Sequence, residues 1–424
     1  MSFEIASVFA REILDSRGNP TVEVDVKTRT AMGRAAAPSG ASTGVHEALE
    51  LRDGGKRYLG KGVIKAVRNV NTIIARELRG YDVRNQKKID EKLIELGGPN
   101  KAKLGANATT ATSMAAAKAA ANALNLPLFR YLGGVKACVL PVPQFNILNG
   151  GKHAGTKLSI QEFMIMPVGA RSFSEALRMG SETYHHLGSI LTKKYGAFAR
   201  NVGDEGGFAP PIEKAEDALR AIQDAVDSAG YTKQVSLAID AAASSFYDEK
   251  THQYRLDGKS VSSNKLLEFY EELVENFPIV SIEDPFFEED FESFAELNAS
   301  IGKKVQIVGD DLVVTNVGRI QQAIEKRAMN ALLLKVNQIG TLTEAIEAAE
   351  LVRKHRYGVV VSHRSGETDD STIADLVVAI NGGQIKTGAP ARGERVAKYN
   401  QLLRIEEMLG KRARYAGKKF RYPV

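Results

Sequence analysis

The feature that most constrains the fold is a series of short apolar segments in the second half of the chain, each ending in a polar residue. The segments cover residues 235–240, 279–283, 305–310, 331–335 and 358–363. Stretches with helical spacing, such as 264–276 and 344–355, separate them. This alternation of strand and helix predicts parallel βαβ units, with one extra hairpin near residues 247–254.

The polar ends of these segments are Asp240, Glu283, Asp310, Lys335 and His363. They follow one another at spacings of 43, 27, 25 and 28 residues, which suit one βα unit each. In a (β/α)8 barrel the carboxyl ends of the strands meet at one mouth, so these side chains would face a common centre. A single acid after a strand is more often a helix N-cap or a solvated loop residue. Five polar ends in register favour a shared site, although the pattern alone also allows a doubly wound open sheet.

The first part of the chain has a different pattern. Val22, Val24 and Val26 alternate with charged residues after a turn-rich segment, which predicts a β-hairpin. The Ala-rich stretch 106–124 predicts a closely packed helix. A Gly pair followed by prolines within residues 131–142 marks a domain boundary. We therefore predict an α+β domain over residues 1–135 and an α/β domain over residues 136–424.

Composition argues against several classes of protein. No apolar run reaches the roughly 18 residues that a membrane helix needs, and the N-terminal sequence lacks the pattern of a signal peptide. Cys138 is the only cysteine, which excludes an intramolecular disulfide and Cys-rich zinc sites. The net charge of +6 comes from Lys and Arg dispersed among acids, which argues against nucleic acid as a primary partner. We expect a cytoplasmic protein without a membrane span.

The strand-end residues suggest a metal site with a nearby base. Asp240, Glu283 and Asp310 form an all-oxygen set, which suits Mg2+ better than zinc. Because converging carboxylates repel one another, a bound cation would complete the set; alternatively, each acid pairs with a nearby Lys or Arg. Lys335 ends a predicted buried strand, where burial and a neighbouring dication would lower its pKa and make it a general base. The alternative for Lys335 is a salt bridge to one of the carboxylates.

Several loops carry groups that could act on a small anion. Glu205, in the glycine-rich acidic loop 201–211, is a candidate general acid, although such a loop is usually only a turn. Arg364 and Ser365 follow a predicted strand in SHRSGE and suit a phosphate group. Lys386, in QIKTG, could neutralise a second anionic group. Together these residues indicate a small substrate with two anionic groups.

Two further loops are weaker signals. The segment PSGASTG, residues 38–44, could fold over a ligand as a lid. His153 lies in NGGKHAG, shortly before Gln161 and Glu162. A lone histidine in a Gly-rich loop is more often structural than catalytic. These loops do not by themselves decide the function.

Eight segments, read in order, closely resemble the enolase family. They are PSGASTGVHEALELRD, NILNGGKHAGTKLSIQEFMI, VGDEGGFAP, SIEDPF, VGDDL, LLKVNQIGTLTE, SHRSGET and IKTGAPARGERVAKYNQLLRIEE. They span nearly the whole chain, and SHRSGET and KVNQIGTLTE exclude most other barrel enzymes. The resemblance implies an α+β N-terminal domain followed by a modified (β/α)8 TIM-type barrel. It also implies an assembly of at least two copies, either a homodimer or an octamer of dimers.

The resemblance further implies a reaction, the reversible dehydration of 2-phospho-D-glycerate to phosphoenolpyruvate in glycolysis and gluconeogenesis. Asp240, Glu283 and Asp310 would hold one Mg2+ that contacts the substrate carboxylate. Lys335 would abstract the C2 proton, and Glu205 would protonate the departing C3 hydroxyl. Enolases therefore use an acid and a base together with bound magnesium.

The remaining site residues are also implied by the resemblance. Ser42, in the mobile loop, would help to bind a second Mg2+ per active site, which arrives with the substrate. The substrate-binding set would be His153, Gln161, Glu162, Lys335, His363, Arg364, Ser365 and Lys386. Within this set, Arg364 and Ser365 would hold the phosphate and Lys386 the carboxylate.

The chain departs from the usual family sequence at Ser245, Ala391 and Gly393, none of which is a proposed catalytic residue. Two other interpretations stay open. One is another member of the barrel superfamily acting on a different carboxylate, which SHRSGET argues against. The other is a non-catalytic scaffold or RNA-associated protein on the same fold, which the retention of Lys335 and Glu205 argues against.

Overall fold

A computed structural model of the chain describes residues 3–41, 44–151 and 157–422. The chain opens with a three-stranded antiparallel sheet of β1 (Ser7–Leu14), β2 (Pro20–Lys27) and β3 (Met32–Ala36). The predicted hairpin is confirmed as the β1–β2 pair. The third strand makes β2 central, and the alternating valines of β2 are fully buried.

Five helices follow this sheet. They are α1 (Ile64–Asn69), α2 (Ala75–Leu78), α3 (Gln86–Gly97), α4 (Ala106–Ala123) and α5 (Leu128–Gly133). The Ala-rich α4 confirms the predicted helix and packs against β2 and β3. A Cβ atom on Gly33 would lie 2.1 Å from the carbonyl oxygen of Ala115. The helix therefore approaches β3 this closely because residue 33 has no side chain.

The second part of the chain is built around a closed barrel of eight strands. Its strands, with those of two small sheets, are β4 (Val139–Leu140), β5 (Val142–Asn149), β6 (Glu162–Met166), β7 (Ser236–Asp240), β8 (Tyr247–Asp248), β9 (Gln253–Leu256), β10 (Lys259–Val261), β11 (Ile279–Glu283), β12 (Gln306–Gly309), β13 (Ala331–Leu334), β14 (Gly358–Ser362), β15 (Gly383–Lys386) and β16 (Arg414–Tyr415). The barrel order is β5, β6, β7 and then β11 to β15, and β15 pairs with β5. An open doubly wound sheet is therefore excluded, and the predicted barrel is confirmed. The extra hairpin is also present, as β8 and β9 with β10 beside them.

One barrel strand runs in the opposite direction to the others. Strand β6 pairs antiparallel with both β5 and β7, whereas the other neighbouring barrel strands are parallel. In register, Glu162 at the start of β6 lies opposite Asp240 at the end of β7. The start of β6 therefore lies at the same end of the barrel as the carboxyl ends of the other strands. We call this end the carboxyl mouth.

Helices surround the barrel strands. The described helices of this part are α6 (Phe173–Tyr195), α7 (Ala215–Ser228), α8 (Ser263–Asn276), α9 (Phe291–Ile301), α10 (Val317–Lys326), α11 (Val336–Ile339), α12 (Leu342–Lys354), α13 (Thr372–Ala379) and α14 (Gly393–Leu409).

Asp310, Lys335 and His363 each follow their strand directly instead of ending it, because the chain leaves the ladder there and turns into the mouth. Within the described ranges, no helix is both long and apolar enough to cross a membrane. The domain boundary near residue 135 stays a prediction.

Candidate active site

The carboxyl mouth gathers most of the residues that the sequence singled out. Ten of them line one pocket: Gln161, Glu162, Glu205, Asp240, Asp310, Lys335, His363, Arg364, Ser365 and Lys386. Glu283 lies beside this pocket, where it contacts Lys386. Ser42 and His153 lie outside the described residues. The pocket residues come from both parts of the barrel pattern, the strand ends and the loops that follow them.

Lys386 is surrounded by carboxylates. Its Nζ atom lies 2.9 Å from Asp240 Oδ2, 2.8 Å from Glu283 Oε1 and 3.2 Å from Glu162 Oε2. Burial lowers the pKa of Lys386, but the three carboxylates raise it by more, so the net shift is upward. Two of the predicted metal ligands therefore pair with a lysine, which is the alternative that the sequence left open for them.

Lys335 forms a buried ion pair with the third predicted ligand, Asp310. Gln338 donates from Nε2 to the other oxygen of Asp310 at 2.9 Å. Burial lowers the pKa of Lys335, but Asp310 raises it more, so the net shift is upward. With the chain's own groups alone, the pKa of Lys335 thus moves opposite to the direction that burial predicts. The contact with Asp310 is the ion pair that the sequence left open for Lys335, and the same amine is the candidate base.

A cluster of three aspartates lies next to this pair. Carboxylate oxygens of Asp284, Asp310 and Asp311 lie within 4.8 Å of one another. Asp284 accepts hydrogen bonds from the backbone N–H groups of Asp310, at 2.9 Å, and Asp311, at 2.7 Å. Burial and the neighbouring Asp310 raise the pKa of Asp311 to about 8. Asp284 and Asp311 were not among the predicted ligands, although each directly follows one, in SIEDPF and VGDDL.

The acids at the mouth fit a hard divalent cation. Oxygen Oε2 of Glu283 is buried and has no hydrogen-bond partner among the described residues. Burial and the charge of Asp240 raise the pKa of Glu283 well above its ordinary value. Buried carboxylates that repel one another are stabilised by a cation, and an all-oxygen donor set suits Mg2+. The residues present therefore fit the metal that the sequence predicted.

Glu205 lies on another side of the pocket, where polar side chains hold its carboxylate. Asn146 Nδ2 donates to Oε2 at 3.0 Å, and Ser365 Oγ donates to Oε1 at 3.3 Å. His363 Nε2 lies 3.2 Å from Oε2. Asn146 comes from β5, so the barrel wall itself fixes the position of this acid. Asn146 was not among the predicted residues, because it lies among apolar neighbours in the sequence.

A buried arginine decides which ring nitrogen of His363 carries the proton. Arg395 Nη1 lies 2.6 Å from His363 Nδ1, and Arg395 is fully buried. A guanidinium can only donate, so Nδ1 accepts and the imidazole carries its proton on Nε2, which faces Glu205. Burial, with a smaller contribution from Arg395, lowers the pKa of His363 to about 4. His363 is therefore neutral near pH 7. Arg395, on helix α14, was not predicted, because nothing in GAPARGER indicates contact with the residue that follows β14.

Arg364 already binds a carboxylate. Its Nη1 and Nη2 atoms donate to the two oxygens of Glu47, at 2.9 and 3.0 Å. Nη1 also lies 3.2 Å from Asn337 Oδ1. This two-pronged geometry is the one in which guanidinium groups bind phosphate. Glu47 was not among the predicted residues, since it lies 317 positions away in sequence.

A closed barrel whose carboxyl mouth holds buried acids, lysines and an arginine defines a barrel enzyme with a polar active site whose acids suit a cation. Comparisons with known proteins assign it more closely. The family profile described as "Enolase, N-terminal domain" matches residues 5–132, and the one described as "Enolase, C-terminal TIM barrel domain" matches residues 137–424. The chain therefore belongs to the enolase family, whose members are hydro-lyases.

Curated relatives match over the full length. Proteins named enolase from Thermococcus gammatolerans and Pyrococcus furiosus are each 62% identical to this chain; the alignments cover 99% of it and 99% and 98% of the two relatives. An enolase from Methanocaldococcus jannaschii is 60% identical, with 99% of both chains covered. The resemblance found in the eight sequence segments is thus confirmed.

Proposed function

We propose that this chain catalyses the reversible, Mg2+-dependent dehydration of 2-phospho-D-glycerate to phosphoenolpyruvate and water, in glycolysis and gluconeogenesis. The observation that carries the proposal is that Lys335, Glu205 and Arg364 line one pocket at the carboxyl mouth of a full-length enolase-family chain. A base, an acid and a phosphate-binding group are what this reaction requires.

The metal sites follow from the donor set. Asp240, Glu283 and Asp310 would hold one Mg2+, and Ser42 would help to hold a second that arrives with the substrate. When bound, these ions stabilise the negative charge that develops on the substrate carboxylate, as is general in enolase-superfamily sites.

Lys335 takes the proton from C2 of the substrate at its Nζ atom. To act as a base it must first give up its own proton, and burial favours that neutral form. Its ion pair with Asp310 opposes deprotonation, so Lys335 becomes a stronger acid whenever the charge of Asp310 is shared with another cation. The position of Nζ at a strand end, held next to Asp310, keeps the amine directed into the pocket.

Glu205 gives its proton to the hydroxyl that departs from C3. The groups around it hold the carboxyl in one orientation: Asn146, Ser365 and the neutral His363. Proton transfer of this kind depends on placing the acid within hydrogen-bond reach of the leaving oxygen. His363 therefore serves as a positioning group for the acid in this proposal.

The remaining groups bind the two anionic ends of the substrate. Arg364 and Ser365 hold the phosphate, and Lys386 binds the carboxylate. The side chains of Gln161 and Glu162, which the reversed strand β6 brings to the mouth, support this region, and His153 lies near the phosphate in the proposal. Assembly into a homodimer or an octamer of dimers, and a cytoplasmic location, stay predictions.

The test measures the ultraviolet absorbance of the enol phosphate product after 2-phosphoglycerate is added to pure protein with Mg2+. We expect a rise in absorbance that stops when EDTA is added and resumes with excess Mg2+. The Glu205→Gln variant serves as the matched control, because its amide cannot supply the proton. Well-folded protein that gives no rise would contradict the proposal, and would favour another superfamily reaction or a scaffold role.

A further inference from the structure

A second cavity lies at the opposite end of the barrel from the active site. It has a volume of about 800 Å³, within the usual range for small-molecule sites. Val359, near the start of β14, and Asn381 and Gly382, just before β15, form part of its wall. A strand of five residues is roughly 15 Å long, so the barrel separates this cavity from the carboxyl mouth.

The wall of this cavity is cationic. Lys136, Arg353, Arg356 and Arg421 are among its nine lining residues, and no acidic residue is. Four positive groups without a lining carboxylate create a positive potential, which favours an anion. Most other buried cations in the described chain face a carboxylate partner, as Lys335 and Lys386 do.

Two of the arginines are partly buried, and one of them has a donor without a partner. Arg353 donates to the backbone oxygen of Asn381, and burial lowers the pKa of Arg353. Arg421 donates from Nη1 to the carbonyl oxygen of Gly302 at 3.4 Å. Its Nη2 atom is buried without a hydrogen-bond partner among the described residues. A buried donor without a partner is costly, and a ligand oxygen would satisfy it.

The same cavity offers a surface for a flat ring. Tyr357 is half-buried, and Tyr422 is 50% exposed next to Arg421. Aromatic side chains beside arginines stack on nucleobases, and guanidinium groups bind phosphate oxygens. We propose that this cavity binds a nucleoside phosphate, with the phosphate on Arg421 and Arg353 and the base on the tyrosines. The proposal does not depend on the reaction at the carboxyl mouth.

The experiment measures AMP binding to the full-length chain by isothermal titration calorimetry, in buffer with EDTA. Inorganic phosphate and adenosine serve as separate probes of the two halves of the ligand. We expect AMP to bind at least about tenfold more tightly than either probe. No binding of AMP, or binding of phosphate or adenosine that equals it, would overturn the proposal.

Variants assign the binding to this cavity. Arg421→Gln should weaken AMP binding by about tenfold or more, because it removes a charge-assisted contact. The exposed Arg356→Gln tests the same wall without disturbing a buried side chain, and is expected to weaken binding even if Arg421→Gln folds poorly. Arg220→Gln, an exposed arginine on α7, is the matched control and should bind as the unchanged protein does. Equal affinity in Arg356→Gln and Arg220→Gln would refute the assignment.

Discussion

Replacing Lys386 by Met removes a cation that faces three buried carboxylates at once. Methionine has nearly the shape of lysine but no charge, so the change isolates the ammonium group. In protein without Mg2+, Asp240, Glu283 and Glu162 would then lie together without the lysine that stabilises them. Removing one partner of a buried ion pair usually costs about 3–5 kcal/mol.

Protonation limits this cost and makes it depend on pH. The variant can relieve the repulsion by keeping one of the carboxyls neutral in the folded state. Holding a proton on a group with an ordinary pKa of about 4.3 costs about 1.4 kcal/mol per pH unit above that pKa. The loss of stability should therefore be about 3–4 kcal/mol at pH 7 and only about 1 kcal/mol at pH 5.

The sign follows from proton binding. In the variant the folded state binds more protons than the unfolded state, since the pKa of a crowded carboxyl is raised on folding. The free energy of unfolding therefore falls as pH rises above the unfolded pKa of about 4.3, until the raised folded pKa is passed. Added Mg2+ should restore much of the lost stability at pH 7, because it supplies the missing positive charge.

Urea unfolding followed by circular dichroism, at pH 5 and pH 7 with EDTA or with Mg2+, measures these quantities. Lys398→Met is the matched control: Lys398 is equally buried, but its Nζ contacts only one carboxylate, Glu367 Oε2 at 2.8 Å, and two carbonyl oxygens. We expect Mg2+ to stabilise both variants and to help Lys386→Met more. A deficit in Lys386→Met that is the same at both pH values and in both buffers would contradict the role of Lys386 in neutralising these carboxylates.

Three further predictions concern the proposed reaction. Lys335→Ala should abolish exchange of the C2 proton of 2-phosphoglycerate with solvent deuterium, measured by NMR, whereas Glu205→Gln should block dehydration and leave exchange measurable; normal exchange in Lys335→Ala would remove it as the base. Asp310→Asn should weaken Mg2+ binding in a titration far more than it shifts the thermal unfolding midpoint, and an unchanged titration would count against the metal assignment. Arg395→Met should let the pKa of His363 rise from about 4, measured by NMR of the imidazole. The same variant should lower kcat more than it raises KM, and Arg395→Lys should recover part of the loss. An unchanged pKa would show that Arg395 does not contribute to the lowered pKa of His363.

The barrel and much of its mouth could be predicted because parallel strands leave a strong local signal. Each strand from β11 to β14 is a short apolar run, and the polar residue that ends or follows it faces the mouth. That is why the spacing of Glu283, Asp310 and Lys335 favoured a shared centre, although the pattern also allowed an open sheet. Periodicity indicates which residues of a strand are buried, and closure of the barrel then brings the carboxyl ends of the strands together.

Other parts of the fold leave no such signal. The reversed direction of β6 depends on its pairing with β5 and β7, which lie far along the chain. The barrel interior also holds a layer of hydrogen-bonded amides, with Gln384 bonded to both Gln144 and Gln306 at about 3.0 Å. Hydropathy treats such glutamines as surface residues, so a buried polar layer cannot be read from composition.

The partners of the site were the least predictable part, and Arg364 shows why. A residue type and its position after a strand indicate what its side chain can bind, but not which other side chain it contacts. Arg364 contacts Glu47, which also accepts a hydrogen bond from the backbone N–H of Gly44 at 3.0 Å. Any phosphate that uses the same two nitrogens of Arg364 competes with Glu47. Under the proposed function, phosphate binding at Arg364 would therefore be linked to the position of the loop that carries Gly44 and Glu47. This coupling is visible only once both ends of the contact are placed in space.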